Sequence, residues 1–187
     1  MAIILIIVIG IPVLLILWAV VTFNKMVSLR NSTESAWSDV DVLLRKRYDL
    51  IPNLVSTIKG YTKHESETLE KVIQARNQAI NIKADDVKQQ IEAQNMLTQS
   101  LRSIYSLTES YPDLKADKQF NELMGQLQQI ETEIERSRRY YNAVVRDYNN
   151  VTQMFPGAMI AGMGGFVKKP YYEIESVTMR EGVKVEF

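Results

Sequence analysis

The sequence contains no cysteine and a single histidine, His64. The absence of cysteine excludes disulfide bonds, thiolate zinc sites, a thiol nucleophile and a lipid attached to cysteine. One histidine cannot supply a metal site built from several histidines of the same chain. Disulfide-stapled and zinc-stabilised classes of protein are therefore excluded before any pattern is considered.

The chain also lacks an excess of charge, because 22 Lys and Arg residues balance 22 Asp and Glu residues. Nucleic-acid-binding domains carry a basic surface, so a neutral chain gives no electrostatic reason to expect such a partner. The basic and aromatic run "RSRRYY" at 136–141 does not change this. Glutamates shortly before it offer ion pairs three and four residues away on the same helix. The sequence predicts no nucleic-acid partner.

No motif of a known catalytic site is present: there is no Gly-rich phosphate loop, no G-x-S-x-G and no H-E-x-x-H. His64 and Glu65 suit a surface turn, and Asp85 with Asp86 suits the start of a helix. Carboxylates that a helical bundle could turn inward toward a metal are Glu65, Glu109 and Glu131. The di-iron pattern of such bundles needs Glu-x-x-His on two helices, which one histidine cannot supply. We therefore predict no catalytic residue, no cofactor, no metal and no enzymatic activity.

A long uncharged segment stands at the start of the chain, "AIILIIVIGIPVLLILWAVVTF", residues 2–23. A helix of this length spans about 30 Å of hydrocarbon. A secretory signal peptide is the alternative, but the run is too long and no small-x-small cleavage site follows it. Membrane helices tolerate Pro12, and Trp18 and Phe23 stand toward the end of the run, where aromatic residues favour the interface. We predict a retained transmembrane helix over residues 1–23.

The orientation of this helix follows from the basic residues around it. No Lys or Arg precedes the run, whereas Lys25 and Arg30 follow closely. The positive-inside rule then favours the large C-terminal part in the cytoplasm. An uncleaved export signal would place it outside instead. The predicted location is the bacterial inner membrane, with one span and with the bulk of the chain cytoplasmic.

Glycine and proline are scarce between residues 26 and 155, where only Pro52, Gly60, Pro112 and Gly125 occur. Apolar residues recur at helical spacing, and their phase hardly shifts across Pro52 and Gly60. This favours one helix through both positions, bent at Pro52 because proline removes a backbone hydrogen bond. The alternative is a break at Gly60, after which Thr62 and Glu65 form the capping box of a new helix.

Two further helical patterns follow. Asp85 or Asp86 can cap the first, which ends near Tyr111 because Pro112 disfavours helix in the residue before it. The second carries an a/d seam of the coiled-coil type for about five heptads. Its apolar positions are Phe120, Leu123, Leu127, Ile130, Ile134, Tyr141, Val144, Tyr148, Val151 and Phe155. The sequence thus predicts an all-α fold, with three or four long antiparallel helices over residues 24–155 after the transmembrane helix.

The last part of the chain, 156–187, has a different character. "PGAMIAGMGGF" is rich in small residues and methionine, and residues 183–187 alternate as an extended strand would. A lone strand needs a partner strand, so we predict a homo-oligomer in which a second copy supplies it. The contact candidates are Phe166, Tyr171, Tyr172, Val183, Val185 and Phe187. The alternative is a tail folded back along its own bundle.

Charged residues interrupt the apolar seams. Arg47 stands between Leu44 and Ile51, Arg76 lies between two isoleucines, and Glu65 and Arg138 occupy positions where an apolar residue is expected. Buried charges must be paired, so we predict an ionic network that fixes helix register. Its members are Arg47, Glu65, Arg76, Glu109, Glu131 and Arg138. A polar site inside the bundle is an alternative, as are long side chains that reach water from the edge of the seam.

Several of these segments resemble the LemA family. They are "AWSDVDVLLRKRYDLIPNLVSTIKGYTKHE", "AR" at 75–76, "ESYPDLKADKQFNELMGQL", "RRYYNAVVRDYN" and "FP". The resemblance implies a bacterial membrane protein with one N-terminal span and a helical bundle, but no established activity; one branch is associated with magnetosome membranes. The motif residues are Arg47, Asp49, Pro52, Asn53, Glu65, Arg76, Glu109, Tyr111, Pro112, Arg138, Tyr141, Asn142, Tyr148 and Asn149. The resemblance assigns a catalytic role to none of them, and the tail from Lys168 carries the least of it.

These observations favour a membrane-anchored scaffold that self-assembles or holds partners near the bilayer. The expected partners are membrane lipid, further copies of the chain and other membrane proteins. A second hypothesis is a membrane-shaping or membrane-stress protein whose "GAMIAGMGG" segment, residues 157–165, touches lipid. An enzyme with a polar site inside the bundle is the third and most remote.

Overall fold

A computed structural model of the protein describes residues 2–62, 65–83 and 86–173. His64, Asp85, Val183, Val185 and Phe187 therefore lie outside the described residues. Within the described ranges the fold is all α-helical, as predicted, and contains no strand. The described residues form six helices. They are α1 (Ala2–Lys59), α2 (Ser66–Ile80), α3 (Val87–Ser110), α4 (Pro112–Ala116), α5 (Lys118–Gln153) and α6 (Gly157–Gly164). Helix α1 joins the predicted transmembrane helix and the first helix of the predicted bundle into one.

Helix α1 continues through Pro52, as predicted, but ends at Lys59, so the prediction of a helix that continues past Gly60 is wrong. The amides of Tyr61 and Thr62 both bond back to the Ile58 carbonyl and close the last turn. The apolar residues keep a regular spacing across this break because two helices separated by a turn can bury their apolar faces in the same core. The bend at Pro52 stays a prediction.

The alternative capping box is not formed either. The Thr62 hydroxyl donates to the Ile58 carbonyl at 3.2 Å and so belongs to the end of α1. Helix α2 begins later, at Ser66, with Glu65 in the N-cap position and without a side-chain cap. Thr62 is thus used by the helix that ends and not by the helix that begins.

Helix α3 begins and ends where the sequence predicts. Asp86 is its N-cap and accepts a hydrogen bond from the Gln89 amide at 3.0 Å. The helix ends at Ser110, before Tyr111. Pro112 then occupies the first turn of the short helix α4, where its missing N–H leaves no hydrogen bond unmade. Helices α2 and α3 pack against each other in antiparallel directions.

Helix α5 buries a residue at every seventh position, as the predicted seam requires. These residues are Phe120, Leu127, Ile134, Tyr141 and Tyr148, each 5% exposed or less. Phe155, predicted as the last member, lies beyond the end of the helix and is 83% exposed. The seam therefore ends with α5, because residues after Gln153 no longer follow the helical repeat.

Helix α6 was not predicted, since a short apolar segment of small residues shows no helical periodicity. Gly157 is needed at its start, because a Cβ there would approach the Val151 carbonyl oxygen to 2.3 Å. Gly165 ends the helix in the left-handed conformation, with φ of 68°, which glycine adopts without strain. The small-residue segment is thus helical over Gly157–Gly164.

The chain divides into two compact units, which share the long helices α1 and α5. The terminal unit comprises Met1–Val42 and Glu135–Tyr171. Its core includes Met26, Tyr148, Ala161 and Phe166. The central unit comprises Leu43–Ile134 and the segment that begins at Tyr172. Its buried residues include Leu44, Ile51, Leu54, Ile58, Leu69, Val72, Leu97, Leu101, Ile104, Leu114, Phe120 and Leu127.

Candidate functional site

The first part of α1 is a candidate membrane segment. Almost every side chain from residue 9 to residue 23 is exposed, and Leu14 reaches 67%. The helix is long and apolar enough to cross a membrane. A membrane anchor and a signal sequence share this composition, so the structure establishes an uncovered apolar helix at this end of the chain.

A buried arginine is the centre of a polar cluster in the central unit. Arg47 on α1 is 1% exposed. Its Nη1 lies 2.9 Å from Oε1 of Glu131 on α5. Nη1 and Nη2 lie 3.2 and 3.3 Å from the Thr98 hydroxyl on α3, and Nη2 also donates to the Gln94 carbonyl at 3.4 Å. One guanidinium therefore ties three helices together by charge-assisted hydrogen bonds.

Tyr48 extends this cluster to a fourth helix. The Gln94 side-chain amide donates to the Tyr48 hydroxyl. The Tyr48 carbonyl accepts from Nε of Arg76, on α2, at 2.7 Å. Arg47 Nε and the Oε1 atoms of Gln90 and Gln94 are buried without a hydrogen-bond partner among the residues that the structure describes. The cluster is an incompletely satisfied polar core, and its most direct physical effect is to fix how four helices align.

The other predicted network residues lie elsewhere. Glu65 accepts a hydrogen bond from the Tyr111 hydroxyl at 3.2 Å, and burial followed by this bond raises the pKa of Tyr111. Glu109 is exposed on α3, and Arg138 is half-buried on α5. Of the six predicted residues, the structure thus joins Arg47 with Glu131 directly and Arg76 through Tyr48.

The negative charge of Glu131 also affects the pKa of Tyr105, a second side chain of the central unit. Burial raises the pKa of this phenol first, and the negative charge of Glu131 raises it further. A carboxylate one-third exposed beside a buried guanidinium therefore influences a second side chain of the same unit. In the described ranges, no group of three or more metal-binding side chains of the His, Cys, Asp or Glu type is present.

A second polar arrangement lies in the terminal unit, where α5 holds the segment after α6. The Tyr148 hydroxyl donates to the Val167 carbonyl at 2.9 Å, and the Tyr141 hydroxyl donates to the Pro170 carbonyl at 3.0 Å. Asn149 makes two bonds of 3.0 Å to Lys169, one to its carbonyl and one from its amide. We call Tyr141, Tyr148 and Asn149 the clamp, because together they fix residues 167–170 along α5.

Ionic and aromatic contacts support the clamp. Nζ of Lys169 lies 3.2 Å from Glu34 Oε1 and 5.8 Å from the centroid of the Tyr148 ring. The Tyr141 ring packs on Trp37 with 5.3 Å between centroids. Burial raises the pKa of Tyr141 to about 12, so this phenol is a neutral donor under all ordinary conditions.

The clamp bears on the predicted contacts between copies. Phe166 and Tyr172 are 9% and 5% exposed within the chain itself, and Tyr171 is half-buried. Phe166 and Tyr172 are thus largely covered within their own chain, and the contact between copies stays a prediction. Residues 167–170 lie along α5 of their own chain, as the alternative to the predicted joint describes for the whole tail.

Sequence reasoning missed Gln94 although a signal for it exists. Ile91 and Leu97 are apolar positions of α3, and Gln94 stands three residues from each. A polar residue in such a gap is a candidate for a buried partner of a charge on another helix. Tyr141, Tyr148 and Asn149 were named by the family resemblance, but no local pattern indicated that they hold another segment.

The sequence of the chain is similar to that of known proteins. A family model described as "LemA family" matches residues 36–187, including the tail from Lys168 that carried the least of the resemblance. The chain is similar to "Protein LemA" of Metamycoplasma hominis, with 26% identity over 132 residues, or 71% of this chain. It spans 60% of the length of that relative.

Proposed function

The chain belongs to the LemA family, and from this premise we propose that it is a membrane-anchored helical scaffold that holds partner proteins near a bilayer. No catalytic activity is part of the proposal. The observation that supports it most is the continuity of α1, which runs from Ala2 to Lys59 without a break.

This continuity links an exposed apolar segment to packed cores. Residues 9–23 are uncovered, whereas Met26 and Val40 on the same helix are fully buried. Once the apolar segment is in a bilayer, a continuous helix holds the core of the terminal unit at a defined distance from it, which a flexible linker would not do. Such rigid placement is what a scaffold requires.

Self-association is part of the same proposal. The predicted contact residues Val183, Val185 and Phe187 lie outside the described part of the chain, so the support is the partial alternation of the sequence alone. The mass of the purified, detergent-solubilised full chain tests it by light scattering with the detergent contribution subtracted. A monomeric mass over a range of protein concentrations would remove self-association from the proposal.

The scaffold role can be tested by photo-crosslinking in the native membrane. A photo-reactive amino acid replaces Tyr61, Tyr105 or Tyr140, which are 40%, 44% and 59% exposed. We expect specific adducts with other chains from at least one position, and none from the unsubstituted protein. Lack of any adduct at all three positions would count against a scaffold.

The proposed orientation places the domain in the cytoplasm, on the basis of Lys25 and Arg30. Ser35 is exposed on α1, and the chain has no cysteine of its own, so Ser35→Cys creates a single reporter. An impermeant thiol reagent should label it only after the cells are permeabilised. Prompt labelling in intact cells would place the domain on the outer side.

A further inference from the structure

Helix α6 presents an apolar face that the rest of the chain does not cover. Gly157 and Ala161 are buried, whereas Met159 and Met163 are 65% and 90% exposed. At about 100° per residue, Met159 and Met163 share the side of the helix opposite to Gly157 and Ala161. The exposed face continues on both sides of the helix into Phe155, at 83%, and Val167, at 73%.

Contacts within the terminal unit place α6 beside the end of the apolar run. The ring of Phe166, just after α6, lies 5.4 Å from that of Phe23, the last residue of the run. The side chain of Met26 reaches the start of α6, 3.2 Å from the Cβ position of Gly157. Met26 is one helical turn beyond Phe23, or about 4.5 Å along the axis of α1. Helix α6 therefore lies beside the end of the apolar run, and the exposed face of α6 belongs to the same unit as residues 9–23.

The chain on either side of this face carries only basic charges, and the adjoining Glu34 is paired with Lys169 at 3.2 Å. Residues 1–33 and 148–172 contain no Asp or Glu. Lys25, Arg30 and Lys168 are exposed, and the guanidinium of Arg30 lies 5.4 Å from the centroid of the Phe166 ring. Basic side chains beside apolar ones, at the end of a membrane-spanning run, match the phosphate and glycerol layer of a bilayer.

We propose that α6 with its flanking residues is a second membrane contact, which lies in the interfacial layer where α1 leaves the bilayer. Met159 and Met163 enter the acyl boundary, while Lys25, Arg30 and Lys168 face lipid phosphates. An interfacial helix is buried about 5 to 10 Å into this boundary, which suits an element level with the turn after Phe23. The inference rests on the proposed anchoring of α1.

Lipid-borne quenching tests the proposal on the full chain in vesicles of phosphatidylcholine and phosphatidylglycerol. Single cysteines introduced by Met159→Cys or Met163→Cys carry an environment-sensitive fluorophore, and the quencher is a nitroxide on the lipid near the headgroup. The matched control is Ser38→Cys, also exposed but about 22 Å beyond Phe23 along α1. We expect roughly twofold more quenching at positions 159 and 163 than at position 38.

A third label separates this inference from the anchor itself. Val13→Cys lies in the apolar run and is quenched by deep nitroxides if α1 spans the bilayer. Quenching at position 13, with positions 159 and 163 no different from position 38, would overturn the α6 contact and leave the anchor standing. A label at position 13 that lipid nitroxides do not quench would overturn the anchor and this inference with it.

A charge substitution tests whether the apolar face is responsible. Gly162→Cys is tolerated sterically, because a Cβ there meets nothing within 4 Å, and it reports from the same helix. Met159→Asp combined with Met163→Asp should reduce quenching of this label to the level at position 38. Unchanged quenching would overturn the proposal. The proposal would also be overturned if the labels at positions 159 and 163 were shielded from lipid while the unlabelled cysteines at these positions crosslinked two copies of the chain.

Discussion

The central and terminal units both hold separate segments of the chain together through polar side chains, but the central unit uses a charged group and the terminal unit uses neutral groups. In the central unit a charged side chain, Arg47, joins helices by bonding to the side chains of Glu131 and Thr98. In the terminal unit the neutral groups of the clamp bond to the backbone of a non-helical segment. Helices satisfy their own amides and carbonyls, so what joins them must come largely from side chains. A non-helical segment brings free carbonyls, which neutral donors can satisfy.

This difference has an energetic consequence. A buried charge that loses its partner retains the cost of its lost hydration, whereas a neutral hydrogen bond contributes only about 1 kcal/mol net. The central unit should therefore be the more sensitive to loss of one partner. The terminal unit should lose stability in smaller steps, since several hydrogen bonds together hold residues 167–170.

The largest effect is expected for Glu131→Ala. It leaves the guanidinium of Arg47 buried without its carboxylate, and we expect a loss of about 3 kcal/mol in the free energy of unfolding. This is the low end of the range for buried pairs, because Glu131 is 33% exposed. Urea denaturation of the full chain in mild detergent, followed by circular dichroism, gives the value.

Glu122→Ala is the matched control on the same helix. Its pair with Lys118 is exposed and 3.9 Å long, so less than about 0.5 kcal/mol should be lost. If Glu131→Ala were no more harmful than this control, the buried charge would not distinguish the central unit.

Alkaline pH should destabilise the terminal unit more than the central unit. The pKa of Tyr141 is raised by burial from 10.0 to about 12, so its stabilising contribution is complete below pH 10 and is lost as pH rises toward 12. The expected loss from this group is about 2.5 kcal/mol. Urea midpoints across this pH range measure it, and Tyr141→Phe should show a correspondingly shallower decline. Identical declines in the two proteins would contradict the assignment to Tyr141.

Asn149→Ala removes two hydrogen bonds of the clamp at once. Asn149 is 3% exposed and both bonds go to the backbone of Lys169, so we expect a loss of about 2 kcal/mol. Amide hydrogen exchange should also become faster at Lys169. The neighbouring Asn150→Ala is the control, since Asn150 is exposed. Equal effects of the two substitutions would mean that the clamp does not hold this segment.

The smallest effect is expected for Tyr148→Phe. The ring stays in the core with Met26 and Phe166, and only the bond to the Val167 carbonyl is lost. We expect about 1 kcal/mol from the same denaturation experiment. If the loss in the free energy of unfolding were as large as that of Glu131→Ala, neutral and charged contacts would contribute equally, and the proposed difference between the two units would be wrong.

Much of the fold follows from short-range signals in the sequence. Asp86 and Pro112 mark the two ends of α3 because capping and proline geometry act within one turn. The seven-residue repeat of α5 predicts its buried side, since helix geometry alone sets that interval. Arg47 could be assigned to a seam for the same reason.

The candidate site was predictable only in part. The sequence named Arg47 and Glu131, but Glu65 and Glu109 fitted the network equally well, and Gln94 and Thr98 were not named. Arg47 and Glu131 are more than 80 residues apart in the sequence. Which carboxylate contacts Arg47 therefore depends on how the helices pack, and no local sequence pattern predicts that.

By itself, then, the sequence determined the all-α class, the apolar start of α1, the caps of α3 and the face that α5 buries. Each of these follows from interactions within a few residues. Only the tertiary structure decided that α1 ends at Lys59, that α6 is helical, that Glu131 is the partner of Arg47, and that the clamp holds the described tail. The last two depend on groups far apart in the chain, whose burial and hydrogen bonds exist only once the helices have packed. For the first two, the local pattern of the sequence allowed more than one structure.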